Sequence, residues 1–546
     1  MKEDKKMSKD NLNPVHLHRT HGKQKKRHRF PFFIIPIVLL LLAAAFLAPK
    51  IPGYMQRLRE KSAVCSEESP SSELTPESEV YTVYFGVPNN KSFSIAIPEG
   101  SNFDLPAGPS IDGYTFLAWQ DENGVKMTRG TISPTADTNF YALYAVAFKN
   151  DRSASTHLPY ISLDQNGMIH PNAGVTRGEM VKIIYANLAV NGVGTGYFID
   201  LEKDDPLYAA AATLKDLGLL EGDRLHAEDT VTFGEFFSLL AKLFPSPERE
   251  YTFTNLSPGS EYYNAFCAAY ENGWLYSTET SPYDIITRKE FVRIVNSLIG
   301  RGGTEHFDVS SVGTIADISS SDEYYPDIAE ALVEHEWKRE GDSEIWTSSS
   351  PLPFRDPGFF FVGSDLHYIK ADGNPALNEE VDYLLFDENG IVSSGDASLD
   401  ELVRFRLNEL VDPSQMDGEE MLRILYDYVV NDSFYLRGEK YETGETGWEI
   451  AEAYKMFSTG KGNCYSYAAS FWALARAIGY DAVCYSGSVG THSNPHGWVE
   501  ITIDGTPYIF DPTLEYEQCY GPGTRTYEHF FKMTYKSVSG WLYNRG

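Results

Sequence analysis

The residues best suited to chemistry lie in the last hundred positions of the chain, and the first of them is a cysteine. Cys464 ends the run Gly460-Lys-Gly-Asn-Cys464, and apolar residues follow it at helical spacing until Gly479. This pattern predicts a buried helix that begins at Cys464 and stops at Gly479. The unpaired amides and the dipole at a helix N-terminus favour a thiolate, the nucleophilic form of cysteine. Cys464 is therefore a candidate nucleophile.

A histidine and an aspartate follow on what the sequence predicts to be one β-hairpin. Its strands flank Asp504-Gly505, a typical two-residue turn. That turn pairs Ile503 with Thr506, which makes His496 and Asp511 diagonal neighbours on one face, roughly 7–8 Å apart at Cα. A three-residue loop would place them on opposite faces. Together with a helix-tip thiol, this imidazole and carboxylate predict a cysteine acyl-transfer triad.

Other roles for these side chains stay open from the sequence alone. Cys464 could be a buried structural thiol, and His496 could be a histidine satisfied within the core. His492 and His496 could bind zinc with Cys484 or Cys519, although this spacing matches no standard ligand set. The same two cysteines could form a disulfide or stay unpaired. We therefore predict neither a metal nor a cofactor.

Three motifs around the candidate triad resemble the transglutaminase-like superfamily, which has a papain-like fold. In chain order they are Gly462-Asn-Cys464, His496-Gly-Trp-Val499 and Asp511-Pro-Thr513. The resemblance covers residues 399–546 and implies an α+β papain-like domain there. It also implies that Cys464 attacks an amide or ester carbonyl of a peptide or protein substrate. His496 would take and return the proton, and Asp511 would orient the imidazole.

These motifs leave the acyl acceptor and part of the oxyanion site undefined. Water as acceptor would give a peptidase or deamidase, and an amine would give a cross-linking transglutaminase. The backbone N–H of Cys464 is expected to hold the oxyanion in part. The candidates for the second hydrogen-bond donor to the oxyanion are three upstream residues, Tyr441, Trp448 and Tyr454.

Length and charge indicate what kind of chain carries this domain. At 546 residues the chain is several times the length of one domain, so a multidomain protein is expected. The formal net charge is −31, although residues 1–29 carry ten Lys and Arg against three Asp and Glu. Residues 30–546 as a whole carry 36 Lys and Arg against 74 Asp and Glu, so the bulk of the chain is acidic. We therefore predict no nucleic-acid partner.

The basic head leads into a segment that could cross a membrane. Residues 30–49 contain no charged side chain, and as a helix they would span about 30 Å, the thickness of a bilayer core. Basic residues directly before the span predict a cytoplasmic tail at 1–29 and an exported remainder. The alternative is a cleaved signal peptide, because Ala43-Ala44-Ala45 offers small residues. A linker rich in Ser, Glu and Pro follows at 50–79.

Residues 80–148 alternate apolar and polar side chains and contain turn signals, which predicts a small β module. Gly113-Tyr-Thr-Phe-Leu-Ala-Trp119 and the segment around Thr135-Ala-Asp-Thr138 resemble the Listeria-Bacteroides repeat, or B-repeat. This resemblance implies a β-grasp-like spacer or adhesive unit. The aromatic residues also have a plainer explanation, because a β domain of this size needs them to fill its core.

An internal repeat occupies residues 150–340. Thr176, Thr232 and Thr287 recur at offsets of 56 and 55, and each opens an apolar helical run. A second unit, which contains Phe198-Ile-Asp-Leu201 in its first copy, recurs between them. The spacing predicts three helical units.

This array resembles the S-layer homology domain, whose signature includes a Thr-Arg-x-Glu turn into a helix. The first and third copies keep the arginine as Arg177 and Arg288, whereas the second has Phe233. The resemblance implies that Arg177 and Arg288 bind acidic cell-wall polysaccharide, which suits the bidentate geometry of arginine. Alternatively, Thr176 and Thr287 are helix N-caps with a glutamate three residues later, and the array is a spacer.

Residues 350–398 predict a β-hairpin connector between the array and the C-terminal domain. The fold class is thus multidomain: a membrane helix, a small β-grasp-like module, an α-helical array and an α+β papain-like domain. The leading functional hypothesis is a membrane-anchored, extracytoplasmic cysteine acyl-transfer enzyme that docks on the cell wall. The rival hypothesis is a non-enzymatic adhesion or scaffold protein with an inert C-terminal domain.

Overall fold

The computed structural model describes residues 79–89, 91–189, 194–302, 304–341, 343–520 and 529–545. The basic tail at 1–29, the predicted membrane span at 30–49 and nearly all of the linker lie outside the described residues. Within the described ranges, no helix is both long and apolar enough to cross a bilayer. Topology at the membrane therefore stays a prediction.

The first described unit is a small β module. Its strands are β1 (Val80–Gly86), β2 (Phe93–Pro98), β3 (Phe103–Asp104), β4 (Tyr114–Asp121), β5 (Lys126–Met127), β6 (Thr131–Ile132) and β7 (Thr138–Val146). The main sheet has the order β2-β1-β7-β4-β5. Its neighbouring strands β1 and β7, the first and the last of the module along the chain, are parallel. Phe85 and Trp119 are fully buried. The aromatic residues therefore do fill the core of this module.

The second unit has two helices for each predicted repeat. They are α1 (Arg177–Asn187), α2 (Tyr208–Asp216), α3 (Phe233–Ala241), α4 (Tyr263–Glu271), α5 (Arg288–Ile299) and α6 (Tyr325–Leu332). Thr176, Thr232 and Thr287 are the N-caps of α1, α3 and α5, and each takes part in a capping box with the glutamate three residues later. The predicted helix starts are confirmed.

The three repeats close into a ring through the residues just before these caps. The N–H of Val175 donates to Ile286, the N–H of Ile286 to Val231, and the N–H of Val231 to Val175, at 3.1, 3.0 and 2.9 Å. The third repeat also reaches back to the first, because Asp317 accepts the N–H of Ile169 at 3.0 Å. The array is therefore closed end to end rather than extended.

A β-sheet that the sequence analysis did not predict joins the two ends of the array. It contains β8 (Thr156–His157), β9 (Thr304–His306), β10 (Glu334–Glu340) and β11 (Ser343–Ser350), in the order β8-β10-β11-β9. The short entry strand β8 pairs antiparallel with β10, which follows the last helix, and His157 lies opposite His335. The helical part of the array thus ends at Leu332, earlier than residue 340.

The connector consists of short antiparallel strands, as predicted. They are β12 (Gly358–Val362), β13 (Asp365–Ile369), β14 (Glu379–Val381), β15 (Leu384–Phe386) and β16 (Val392–Ser393). Phe361 packs against the core of the C-terminal domain. The hydroxyl of Tyr383 donates to the carbonyl of Gly479 at 2.8 Å. The connector is therefore packed against the domain that follows it.

The C-terminal domain combines helices with a three-stranded sheet. The helices are α7 (Ala397–Leu410), α8 (Gly418–Asn431), α9 (Glu449–Thr459), α10 (Cys464–Ala477) and α11 (Pro512–Tyr520), and the strands are β17 (Phe434–Tyr435), β18 (Lys461–Gly462), β19 (Ala482–Val489), β20 (Asn494–Ile503) and β21 (Thr506–Phe510). The antiparallel sheet β19-β20-β21 packs against α10, which is buried over most of its length. This is an α+β core with one central helix.

Candidate active site

The structure places Cys464 as the first residue of helix α10. The preceding residue, Asn463, is the N-cap, and its side-chain oxygen accepts the N–H groups of Tyr465 and Ser466 at 3.1 and 3.3 Å. The Cys464 N–H is not among the groups engaged by this cap. A Cβ at Gly462 would collide with the side chain of Ser466, so only glycine allows this approach to the helix. The predicted position of the thiol at a helix tip is confirmed.

The hairpin that carries the other two residues has the predicted register. Ile503 pairs with Thr506, and Asp504 and Gly505 have φ values of 50° and 73°, so the turn has two residues with positive φ. As a result, His496 and Asp511 point to the same side. The Nε2 of His496 lies 2.7 Å from the Oδ2 of Asp511.

A glycine next to His496 brings the strand against the helix that carries the thiol. A Cβ at Gly497 would lie 2.7 Å from the ring of Tyr465 and 3.1 Å from its Cα. Since Tyr465 directly follows Cys464, this close approach brings His496 next to the thiol. Both side chains are buried, with 7% of Cys464 and 6% of His496 exposed.

Asp511 is fully buried and accepts three hydrogen bonds. Besides His496, the N–H of Leu514 donates to Oδ1 at 3.0 Å and the hydroxyl of Tyr543 donates to Oδ2 at 2.7 Å. An ionised carboxylate only accepts, so Nε2 of His496 carries the proton in this bond. The other ring nitrogen, Nδ1, is left to exchange a proton with Cys464.

Electrostatics at the site favour a charged imidazole. Burial by itself would lower the pKa of His496, but the charge and hydrogen bond of Asp511, and the thiol of Cys464, together raise that pKa well above its usual value. A protonated His496 next to Cys464 places a proton donor beside the candidate nucleophile. The arrangement can therefore supply both groups that acyl transfer needs.

Three residues that were not predicted interact with the candidate triad, Tyr543 by a hydrogen bond to Asp511, and Glu517 and Tyr435 through charge. Tyr543 comes from the C-terminal segment, which pairs with β19 through Ser488 and Asn544. Burial raises the pKa of Glu517, while the charge of His496 lowers it and that of Asp511 raises it. Burial, and then the charge of Cys464, raise the pKa of Tyr435. Only the closing segment of the fold brings in Tyr543, so no local pattern marks it.

Two of the three candidate oxyanion donors already donate elsewhere. The hydroxyl of Tyr441 donates to Glu452 at 3.0 Å, and the indole N–H of Trp448 donates to the carbonyl of Glu445 at 2.9 Å. The two rings stack 5.3 Å apart beside the N-terminus of α10. Tyr454 is 45% exposed on α9. These contacts give Tyr441 and Trp448 a packing role against the helix that carries Cys464.

Neither the disulfide of Cys484 nor a zinc site around His496 is formed among the described residues. Cys484 is a free, buried thiol in β19, and burial raises its pKa well above the usual value. The side chain of Cys519 lies outside the described residues. His492 is exposed and contacts Thr491, and within the described ranges no metal-ligand cluster forms around His496.

The two arginines assigned to wall binding lie at junctions between repeats. Arg177 forms an ion pair with Glu235, and Arg288 forms one with Glu179 at 2.7 Å. Each arginine thus pairs with the capping-box glutamate of another repeat. Phe233 replaces the third arginine and is buried, with 7% of its surface exposed.

Comparison with known proteins supports two of the resemblances. Residues 406–512 match the model of the transglutaminase-like superfamily, and residues 81–143 match that of the Listeria-Bacteroides repeat domain. The chain therefore has a transglutaminase-like domain at its C-terminus and a Listeria-Bacteroides repeat near its N-terminus. No curated protein matches the chain.

Two solved structures are similar to part of the chain. One is a provisionally named cysteine protease from Cytophaga hutchinsonii, with 22% identity over 21% of this chain and 37% of that one, and a TM-score of 0.17. The other is a TGase, with 14% identity over 26% of this chain and 35% of that one, and a TM-score of 0.17. The chain thus covers little more than a third of either structure.

Proposed function

We propose that the C-terminal domain is a cysteine acyl-transfer enzyme in which Cys464 is the nucleophile, His496 the proton carrier and Asp511 the group that orients the imidazole. The main support is the buried 2.7 Å contact between His496 and Asp511, formed beside a thiol at a helix N-terminus. Three distant segments of the chain converge to make this arrangement. A structural cysteine or a core histidine would need neither partner.

The reaction follows from these positions. The Cys464 thiolate attacks a peptide carbonyl carbon, and the Cys464 N–H helps to hold the tetrahedral oxyanion. His496 gives its Nδ1 proton to the departing amine, which leaves a thioester on Cys464 and a neutral imidazole. Water or an amine then attacks the thioester while His496 takes its proton. Asp511 keeps the ring in the tautomer that both steps need.

We further propose that the enzyme works at the cell envelope, held by residues 30–49 as a membrane anchor and by the repeat array on anionic wall polymer. Arg288 and Lys182 line an open groove of about 1000 Å³ beside the ring. An anionic sugar there would have to compete with Glu179 for Arg288. Wall binding is therefore expected to weaken with salt.

The catalytic proposal is tested by trapping the acyl-enzyme. The full chain is incubated with an activated ester, and the peptide that contains Cys464 is expected to gain the mass of the acyl group. Cys464→Ala abolishes this adduct, and His496→Ala nearly abolishes it. An adduct on Cys484 or Cys519, or no adduct from folded protein, would favour the inert adhesion protein instead. Release of free acid then indicates hydrolysis, and incorporation of a labelled amine indicates cross-linking.

The envelope proposal has two independent tests. Protease added to intact cells is expected to degrade everything beyond residue 50 and to spare residues 1–29, whereas a mature N-terminus near Phe46 would contradict the anchor. The chain is expected to sediment with purified cell-wall sacculi of its own organism, and replacing Arg177 and Arg288 by alanine to release it. Failure to sediment would make the array a spacer.

A further inference from the structure

A second cluster of ligand-type side chains lies outside the active site, where the two ends of the repeat ring meet. It consists of His157 in β8, His335 in β10 and Glu330 in α6. All three are almost completely buried, with 1%, 2% and 1% of their surfaces exposed. The nitrogen and oxygen atoms that could bind a metal all lie within 4.8 Å of one another.

We propose that His157, Glu330 and His335 bind one divalent transition-metal cation, of which Zn²⁺ is the natural probe. The cation would join the entry strand of the repeat array to its exit strand and its last helix. This site is separate from the candidate active site and does not depend on the proposed reaction.

The ligand-type atoms of this cluster face one another at close range. Nδ1 of His157 lies 2.5 Å from Oε1 of Glu330, and Nε2 of His335 lies 3.1 Å from Oε2 of the same carboxylate. Even so, His157 Nδ1, His335 Nε2 and Glu330 Oε1 have no hydrogen bond of acceptable geometry. Buried polar atoms without such bonds are costly, so a cation that all three side chains could bind would stabilise them.

A backbone carbonyl accepts a hydrogen bond from the outer nitrogen of each imidazole. Nε2 of His157 donates to the carbonyl of Asp151 at 3.3 Å, and Nδ1 of His335 donates to the carbonyl of Val333 at 2.8 Å. A carbonyl oxygen only accepts, so these outer nitrogens carry the protons. A histidine binds metal as the neutral ring, and the inner nitrogens would then offer their lone pairs to a cation. Metal-bound histidines are oriented in this way by their outer N–H.

The charges around the cluster leave a net negative charge that a cation could neutralise. Arg301 comes within 3.8 Å of Oε1 of Glu330, but it forms an ion pair with Asp151 at 2.7 Å. These two charges offset each other, so the negative charge of Glu330 remains for the metal. Trp346 stacks on His335 at 3.8 Å and encloses the site.

The donor set favours zinc in a structural role. Two imidazole nitrogens and both oxygens of one carboxylate offer four donors, and imidazole with carboxylate suits Zn²⁺. A catalytic zinc keeps one position open for water, whereas these side chains are almost inaccessible to solvent. The cation would therefore stabilise the closed ring. No local spacing marks this cluster in the sequence, because His157 lies more than 170 residues before the other two ligands.

The test compares zinc content between matched variants of the full chain. All carry Cys464→Ala, so that the nucleophilic thiol cannot bind metal, and all are stripped with chelator and then reloaded with ZnSO₄. Four histidines in the basic tail could also bind zinc. The readout is therefore the difference between the parent chain and each variant. We expect His157→Ala and His335→Ala each to lose one Zn²⁺ per chain, and the control His492→Ala to lose none.

A thermal measurement supplies a second, independent readout. Zn²⁺ is expected to raise the melting temperature of the parent chain and to leave that of His335→Ala unchanged. Glu330→Gln keeps the shape of the side chain and removes its charge, so it tests the site if the histidine variants fail to fold. It should weaken zinc binding at least tenfold. Equal zinc content in parent and variants, or a melting temperature that zinc does not change, would overturn the proposal.

Discussion

Replacing Asp511 by asparagine tests the proposed catalytic geometry, because the two side chains have nearly the same shape but different hydrogen-bonding groups. The carboxylate accepts bonds from His496 and Tyr543 at Oδ2 and from Leu514 at Oδ1. An asparagine amide has one accepting oxygen and one donating NH₂, so either orientation directs NH₂ at a donor. If NH₂ faces His496, the proton moves to Nδ1 and the base for Cys464 is lost.

The size of the effect follows from the bonds that are lost. A hydrogen bond to a charged group contributes about 1.5–3 kcal/mol. If that amount is lost only in the transition state, acylation slows by about 10- to 150-fold. The wrong tautomer of His496 slows acylation further. The same Asp→Asn change lowers kcat about 10⁴-fold in a Ser-His-Asp triad, and we take that factor as the upper limit of the effect. Asp511→Asn is thus expected to be slower but active, unlike Cys464→Ala.

The assay is the rate of acyl-enzyme formation from an activated ester, followed by rapid quenching and mass measurement over a range of pH. Because Asp511 raises the pKa of His496, its loss lets the imidazolium deprotonate at lower pH. The alkaline limit of the pH–rate profile is therefore expected to move down. A rate within threefold of wild type, with the profile unchanged, would refute the proposed role of Asp511.

Three further predictions concern the same domain. Tyr543→Phe removes one buried hydrogen bond to a charged group and should lower the free energy of unfolding by about 1.5–3 kcal/mol in a denaturant titration; an effect below 0.5 kcal/mol, on the same order-of-magnitude scale, would mean that this contact is not formed. Gly497→Ala forces the strand away from the helix and should cost about 1–3 kcal/mol and slow acylation, whereas Gly540→Ala, where a Cβ meets nothing within 4 Å, should change neither. A thiol-reactive probe at pH 6–7 should label Cys464 and not Cys484, whose pKa burial raises; equal, slow labelling of both would contradict an activated thiol.

The part of the site that depends on local rules could be predicted from the sequence. Asp504-Gly505 determines the hairpin register, and the register determines that His496 and Asp511 share a face. Asn463 and the apolar spacing after it determine where the helix of Cys464 begins. Each of these inferences needs only neighbours within about twenty residues.

The remaining features depend on contacts between distant segments, which local patterns do not encode. Tyr543 reaches Asp511 only because the last segment pairs with Ser488. The sheet that joins β8 to β10, and the cluster around Glu330, follow from closure of the repeat ring. Capping boxes at Thr176 and Thr287 were only the alternative to wall binding, and the hydrogen bonds that link one turn to the next were not predicted.

Closure of the ring also decides how the chain would carry a mechanical load. The entry and exit strands lie side by side, with Thr156 opposite Glu336 and His157 opposite His335. The chain leaves this sheet through β11, whose Ser350 pairs with Glu334 at the start of β10. A pull on the chain from both sides of the array would therefore draw β8 and β11 along β10 in opposite directions. The bonds of the sheet would share this load before the array could extend.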